Sequence, residues 1–279
     1  MTLVPIQPVS MSILSGAVDS MLESLFLNDP VSSVTDVLTL NIFSDPSISA
    51  MLRAGFNALI PIACMLLIVY FCVSMIDKGM TLDNMSASQM WRQVVLLIGS
   101  AILLNHSFDL LQYIYNFGLG IFDYVHTALG TAAGGSLPTT ADELRDLLGM
   151  GNGLGDDLAA IINLFLPWLL AKLFPIIIKA ICYMRLLELS LRLCMMPLSL
   201  ADFFQNGLHG AGMRNLKGFL AVALQTAAIY LILVLNQVLV VGASASVDDA
   251  FIIVYLAIWV ATLGLLFRSQ SLCKEIIGA

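Results

Sequence analysis

Between Arg53 and Asp77 the chain runs for 23 residues without one charged side chain. A helix needs about 20 consecutive apolar residues to cross a hydrocarbon core of about 30 Å, so this run is long enough to span a bilayer. Four further apolar runs follow, at residues 93–117, 158–183, 216–243 and 251–267. A soluble fold of 279 residues could not bury all five. Hydrophobic residues make up 59% of the chain and charged residues only 11%, against about 45–50% and about 25% in soluble domains. Too few polar residues remain to coat a soluble core. That excludes an ordinary soluble enzyme, and the same hydrophobicity excludes a disordered chain. The predicted fold class is all-α: a polytopic membrane protein with about five transmembrane helices and an amphipathic N-terminal helix.

Two regions follow from this pattern, an extracytoplasmic N-terminal region over residues 1–50 and a membrane domain over residues 51–279. In residues 10–28, Ile13, Leu14, Ala17, Met21, Leu22 and Leu25 recur at helical spacing, with Asp19 and Glu23 on the other side. This predicts an amphipathic helix lying at an interface. Residues 1–10 have no basic residue and no short apolar core, so no cleavable signal peptide is expected. Asp29-Pro30 and Asp45-Pro46 read as punctuation. Pro61 falls inside the first span, where neighbouring helices can satisfy the freed carbonyl. Trp91 is placed to anchor the second span at the interface. Residues 127–157 read as a polar, glycine-rich outer loop, and residues 184–215 as a cytoplasmic extension of the third span.

Charge gives the orientation. The face holding residues 77–92, 184–217 and the C-terminal tail carries eight of the twelve Lys and Arg residues. The opposite face holds only Arg53 and Arg145, and Lys172 and Lys179 fall within the third span. The positive-inside rule then places the N-terminus outside and the C-terminus in the cytoplasm. The formal net charge of −7 is an outer-face property, since most acids lie there. It also argues against a soluble protein that grips nucleic acid by charge.

Few constellations carry chemistry. Lys172 and Lys179 are seven residues apart and share a helix face. A lysine at mid-bilayer costs about 2.5–3.5 kcal/mol on insertion scales and usually faces protein or water. Two readings stand for Lys172: it lines a central aqueous lumen in a ring of subunits, or it pairs with a buried acid such as Asp109. Lys179 either joins that lumen or snorkels to the interface. Asn105, Asp109, Gln112 and Asn116 form a polar stripe on the second span. The stripe either borders a water-filled pathway or acts as polar glue between helices. His106 beside Asp109 admits a proton relay, although a lone histidine is more often simply hydrogen-bonded. Arg185, Glu188 and Arg192 lie at i, i+3 and i+7 and can pair along one face. The glycines at 149, 151, 153 and 155 follow no strand and lack the Lys-Ser/Thr ending of a phosphate loop. The acidic pairs at 142–143, 156–157 and 248–249 are explained by solvation and topology. No catalytic motif, metal cluster or disulfide framework is present, so no enzymatic activity, cofactor or metal is expected.

Several short stretches carry a resemblance. They are Tyr183-Met184-Arg185-Leu186-Leu187-Glu188, then Pro197-Leu198-Ser199-Leu200-Ala201, the glycine-rich turn with Arg214 and Gly218-Phe219, and the ending Ser269-Gln270-Ser271-Leu272-Cys273-Lys274-Glu275-Ile276. Leu59-Ile60-Pro61-Ile62 and Ser107-Phe108-Asp109 fit as well. Together the chain resembles the TrbL-type polytopic subunit of type IV secretion systems, the sixth VirB component, in the versions found on conjugative elements of Gram-positive bacteria. The resemblance implies a multi-pass subunit of the bacterial cytoplasmic membrane, homo-oligomeric and perhaps five-membered, in a machine that moves DNA or protein between cells. It implies no catalytic residues, and any ATP hydrolysis would belong to a partner ATPase. Arg185, Glu188, Arg192, Pro197, Arg214 and Lys217 would then form the cytoplasmic, partner-facing stretch. The expected function is a channel or scaffold subunit aiding translocation. The alternatives are a small-solute transporter, which fits poorly with five spans and no internal repeat, and a purely structural scaffold.

Overall fold

A computed structural model describes residues 16–21, 30–81, 87–130, 154–206, 210–244 and 251–278. Residues 16–21 are helical, and the rest of the predicted amphipathic helix lies outside the described residues. Seven helices follow: α1 (Pro30–Leu38), α2 (Pro46–Thr81), α3 (Ala87–Gly130), α4 (Leu154–Ala201), α5 (Phe203–Asn206), α6 (Ala211–Ser244) and α7 (Phe251–Ile277). No strand occurs among the described residues. Four of the helices contain stretches long and apolar enough to cross a membrane: Pro46–Asp77, Met90–Gly130, Ala211–Ala243 and Ile253–Ile277. The protein is an all-α polytopic membrane protein. α4 is not among the four, because Lys172, Lys179, Arg185, Glu188 and Arg192 crowd its described side chains.

Local chemistry sets the helix ends. Pro30 and Pro46 are each the first residue of a helix, where the missing N–H costs no intrahelical bond and the fixed φ is already helical. Both Asp-Pro pairs therefore start helices rather than merely separating segments. Asp45 caps α2: its Oδ1 accepts hydrogen bonds from the Ser47 amide at 2.9 Å, the Ser47 hydroxyl at 2.6 Å and the Ile48 amide at 3.4 Å. The Ser47 hydroxyl first, then the Ser47 and Ile48 amides, hold the exposed Asp45 carboxyl below its ordinary value of 3.8. The Asp202 carboxylate accepts from the Ala211 amide at 2.6 Å and so caps α6 from across the turn. α7 closes on Gly278, which adopts a positive φ of 69°.

Two compact units emerge. The first takes in residues 1–38, 125–182 and 229–268. Within it Phe174 stacks on Trp259 with centroids 5.1 Å apart and planes 9° apart, and Tyr255 meets the Trp259 edge. Val34, Leu38, Ile178, Ile229 and Leu233 are fully or almost fully buried.

The second unit takes in residues 39–124, 183–228 and 269–279. Its core joins Phe56 of α2, Phe108, Leu111 and Tyr115 of α3, Leu189, Leu193 and Met196 of α4, and Phe219 and Val222 of α6. Phe43, in the link before α2, meets the edges of Phe108 and Tyr115, and Phe56 meets Phe108. α3 and α6 touch backbone to backbone at one crossing. A Cβ added to Gly118 would stand 2.9 Å from both the Cβ and the carbonyl oxygen of Ala223. Small residues at membrane helix crossings permit this approach.

Candidate functional site: an inner polar network and an outward polar stripe

The second unit carries its polar side chains in two arrangements. The inner one begins at Arg185, on the amphipathic end of α4. Leucines at 186, 189 and 193 turn this stretch into the core, and Arg185 goes with them, only 3% exposed. Its guanidinium hydrogen-bonds the Thr226 hydroxyl of α6 and the Tyr115 hydroxyl of α3. Thr226 donates onward to the Ala223 carbonyl, and Tyr115 to the Leu40 carbonyl at 2.8 Å. A buried guanidinium is tolerable when hydrogen-bonded this way.

The expected pairing along α4 forms in part. Glu188 accepts from Arg192 through Nε at 3.0 Å and Nη2 at 2.8 Å, while Arg185 turns aside to Thr226 and Tyr115. Glu188 also accepts from the Gln270 amide of α7 at 2.5 Å. Arg192 donates to Asn215 of α6, and Asn215 donates to Ser199 at 3.0 Å. One carboxylate thus gathers a guanidinium and an amide from two helices, and the chain of bonds ties α4, α6 and α7 together. Nearby, Gln225 of α6 donates to the Ser269 hydroxyl of α7 at 2.9 Å, and Lys217 donates to the Gly278 carbonyl at 3.2 Å. Hydrogen bonds to charged groups are the stronger class. Of the stretch expected to face a partner, Arg185 and Pro197 are buried, Glu188, Arg192 and Lys217 half-buried, and Arg214 exposed.

The outward arrangement lies on α3. Leu104, Phe108, Leu111 and Tyr115 are its buried face. Asn105, Asp109 and Asn116 are exposed and Gln112 half-buried, so the stripe points out of the unit. Asp109 is engaged by Arg53 of α2 at 3.5 Å, and the same guanidinium lies 4.9 Å above the Phe108 ring. The acid offered to Lys172 by sequence is therefore answered by Arg53. His106 and Asp109 share an open groove with Leu110 and Tyr113. In the first unit Lys172 is exposed and Lys179 half-buried on α4.

Sequence reasoning missed Tyr115, Asn215, Gln225, Thr226 and Arg53. Each is a single polar residue in an apolar run, and its partner lies on another helix. Gln270 and Ser269 entered only through the resemblance. The glycine run at 149–155 and the acidic pairs at 142–143 and 248–249 lie outside the described residues, as do the side chains of 156–157.

A family model described as "TrbL/VirB6 plasmid conjugal transfer like protein" matches residues 32–197, more than half of the chain. The chain belongs to the TrbL/VirB6 family. The match covers the outward stripe, Lys172, Lys179 and the Arg185–Glu188–Arg192 run, and stops before Asn215, Gln225 and Gln270. Membership makes the protein a bacterial conjugal-transfer membrane subunit that works with other components of a transfer system. The family is a structural membrane component and not a known enzyme family. No curated protein and no solved structure matches the chain.

Proposed function

We propose that the protein is a non-enzymatic channel or scaffold subunit of a conjugation machine in the cytoplasmic membrane, and that its copies assemble around a shared axis. One observation carries this reading. Asn105, Asp109 and Asn116 point out of an apolar helix, and Lys172 points out of α4. Isolated in lipid, polar and ionisable groups are expensive, so such faces meet protein or water. A ring of copies, a pentamer among the candidates, supplies both. Lys172, Lys179 and the stripe then border the lumen or the seams between copies, and DNA or protein cargo passes there. The eight-to-two distribution of cations supports an external N-terminus and a cytoplasmic C-terminus. α4 has 48 residues, about 72 Å at 1.5 Å per residue. That length supports a fifth span at 158–183 with a further turn-rich extension toward the cytoplasm. There, Arg214 and the exposed parts of Glu188, Arg192 and Lys217 are the surface offered to a partner ATPase.

Lys172→Met tests the lumen. With native mass spectrometry showing the oligomer intact, a fall in conjugal transfer frequency supports the reading. Unchanged transfer removes Lys172 from the pathway. Loss of the oligomer assigns the lysine to a structural pair instead.

A further inference from the structure

Beside the stripe, α3 presents a third face. At about 100° per residue, Leu103, His106, Leu110 and Tyr113 fall roughly a quarter-turn from the stripe, and Asp109 stands between the two faces. These residues, with Leu216 of α6, line an open groove of about 1170 Å³. Leu103, Leu110 and Leu216 also line a second, more enclosed cavity of about 360 Å³, which continues between α3 and the α4–α6 turn past Met196, Leu200 and Met213. Its one hydroxyl, on Ser107, is spent on the Leu104 carbonyl at 2.7 Å. The cavity is thus apolar throughout, a place that water fills poorly.

Polarity along this surface runs in one order. The apolar cavity comes first, then the charged pair Arg53–Asp109 with His106, then the exposed ring of Tyr113. A phospholipid has the same order of hydrocarbon, charged headgroup and interface. We infer that the groove is a binding site for one phospholipid with a zwitterionic, primary-ammonium headgroup, phosphatidylethanolamine. Its acyl chain lies along Leu103 and Leu110 toward the cavity, its phosphate meets Arg53, and its ammonium meets Asp109.

The charge complement selects the headgroup. Arg53 and Asp109 form a pair of opposite sign, 3.5 Å apart, with side chains 59% and 55% exposed. Stacking on Phe108 fixes the guanidinium at the lip. An anionic headgroup would be repelled by Asp109. A quaternary ammonium has no N–H to give a carboxylate, whereas a primary ammonium donates three. The site stands on the flank of the stripe, so it is compatible with neighbouring copies there and does not depend on what the machine carries.

The test uses the full chain in nanodiscs of equal phosphatidylethanolamine, phosphatidylglycerol and phosphatidylcholine, transferred to mild detergent and weighed by native mass spectrometry. One phosphatidylethanolamine per chain is expected to persist, favoured about tenfold over the other two, which corresponds to about 1.4 kcal/mol. The double variant Arg53→Gln, Asp109→Asn, whose side chains lie at the surface, is expected to lose that preference while keeping its thermal unfolding midpoint. Equal retention of the three lipids overturns the inference, as does a preference unchanged in the double variant. A His106→Cys chain that cross-links to a second copy in membranes also overturns it, by giving the groove to protein.

Discussion

Tyr115 and Asn116 are neighbours on α3, yet the second unit treats them in opposite ways. Tyr115 is buried and bonded to Leu40 and Arg185. Asn116 is exposed with Asn105 and Asp109. The inner network joins helices of one chain, so its polar groups are satisfied before any partner arrives. The outward stripe is left for something the single chain does not contain. Polarity in an apolar helix therefore has two meanings here, and only the direction of the side chain separates them.

The sharpest way to break the comparison is at the crossing that holds the inner side together. Gly118→Val puts a branched side chain where a Cβ alone already falls 2.9 Å from the Ala223 carbonyl oxygen. Backbone must move, and a loss of about 1–3 kcal/mol or more is expected, read as the largest fall in the thermal midpoint in detergent. Gly120→Val is the matched control. Nothing lies within 4 Å of its added Cβ, so it should unfold almost as the parent does.

Glu188→Ala comes next. It leaves Arg192 and Gln270 without their shared acceptor, in side chains that are mostly buried. Membrane hydrogen bonds average about 0.6 kcal/mol, but losing the partner of a charged group costs about 1–3 kcal/mol. Glu188→Gln should recover part of that, because one amide oxygen still accepts. If Glu188→Ala unfolds like the parent, the network contributes no stability and the contrast with the stripe fails.

The smallest effect on stability belongs to the stripe. Asn105, Gln112 and Asn116 replaced together by alanine should shift the unfolding free energy of the single chain by less than about 0.5 kcal/mol. Conjugal transfer or assembly should fall far more. A loss of stability matching Glu188→Ala would make the stripe internal glue after all.

Much of the fold is legible in sequence. The runs at 54–76, 93–117, 216–243 and 251–267 lie within α2, α3, α6 and α7, because apolar length alone reports a membrane-spanning helix. The boundaries are less legible. α3 continues past Phe117 to Gly130, and α6 begins at Ala211 rather than 216. A helix once nucleated propagates through polar residues at little cost, so the end of hydrophobicity is not the end of the helix. Spacing within α4 correctly placed Glu188 beside Arg192. It could not reveal that Arg185 meets Thr226 and Tyr115, since those contacts depend on which helices pack together. For the stripe, periodicity found the residues and left their direction open. Burial of Leu104, Phe108, Leu111 and Tyr115 gives it.

The crossing of Gly118 on Ala223 has one more consequence, in entropy. Most packed contacts freeze side-chain rotamers, at a cost that reaches about 1.5–2 kcal/mol for the longest side chains. Glycine and alanine have no rotamers to freeze. The α3–α6 crossing therefore forms without that loss, and since the penalty it avoids grows with temperature, it should be among the last contacts in the unit to loosen on heating.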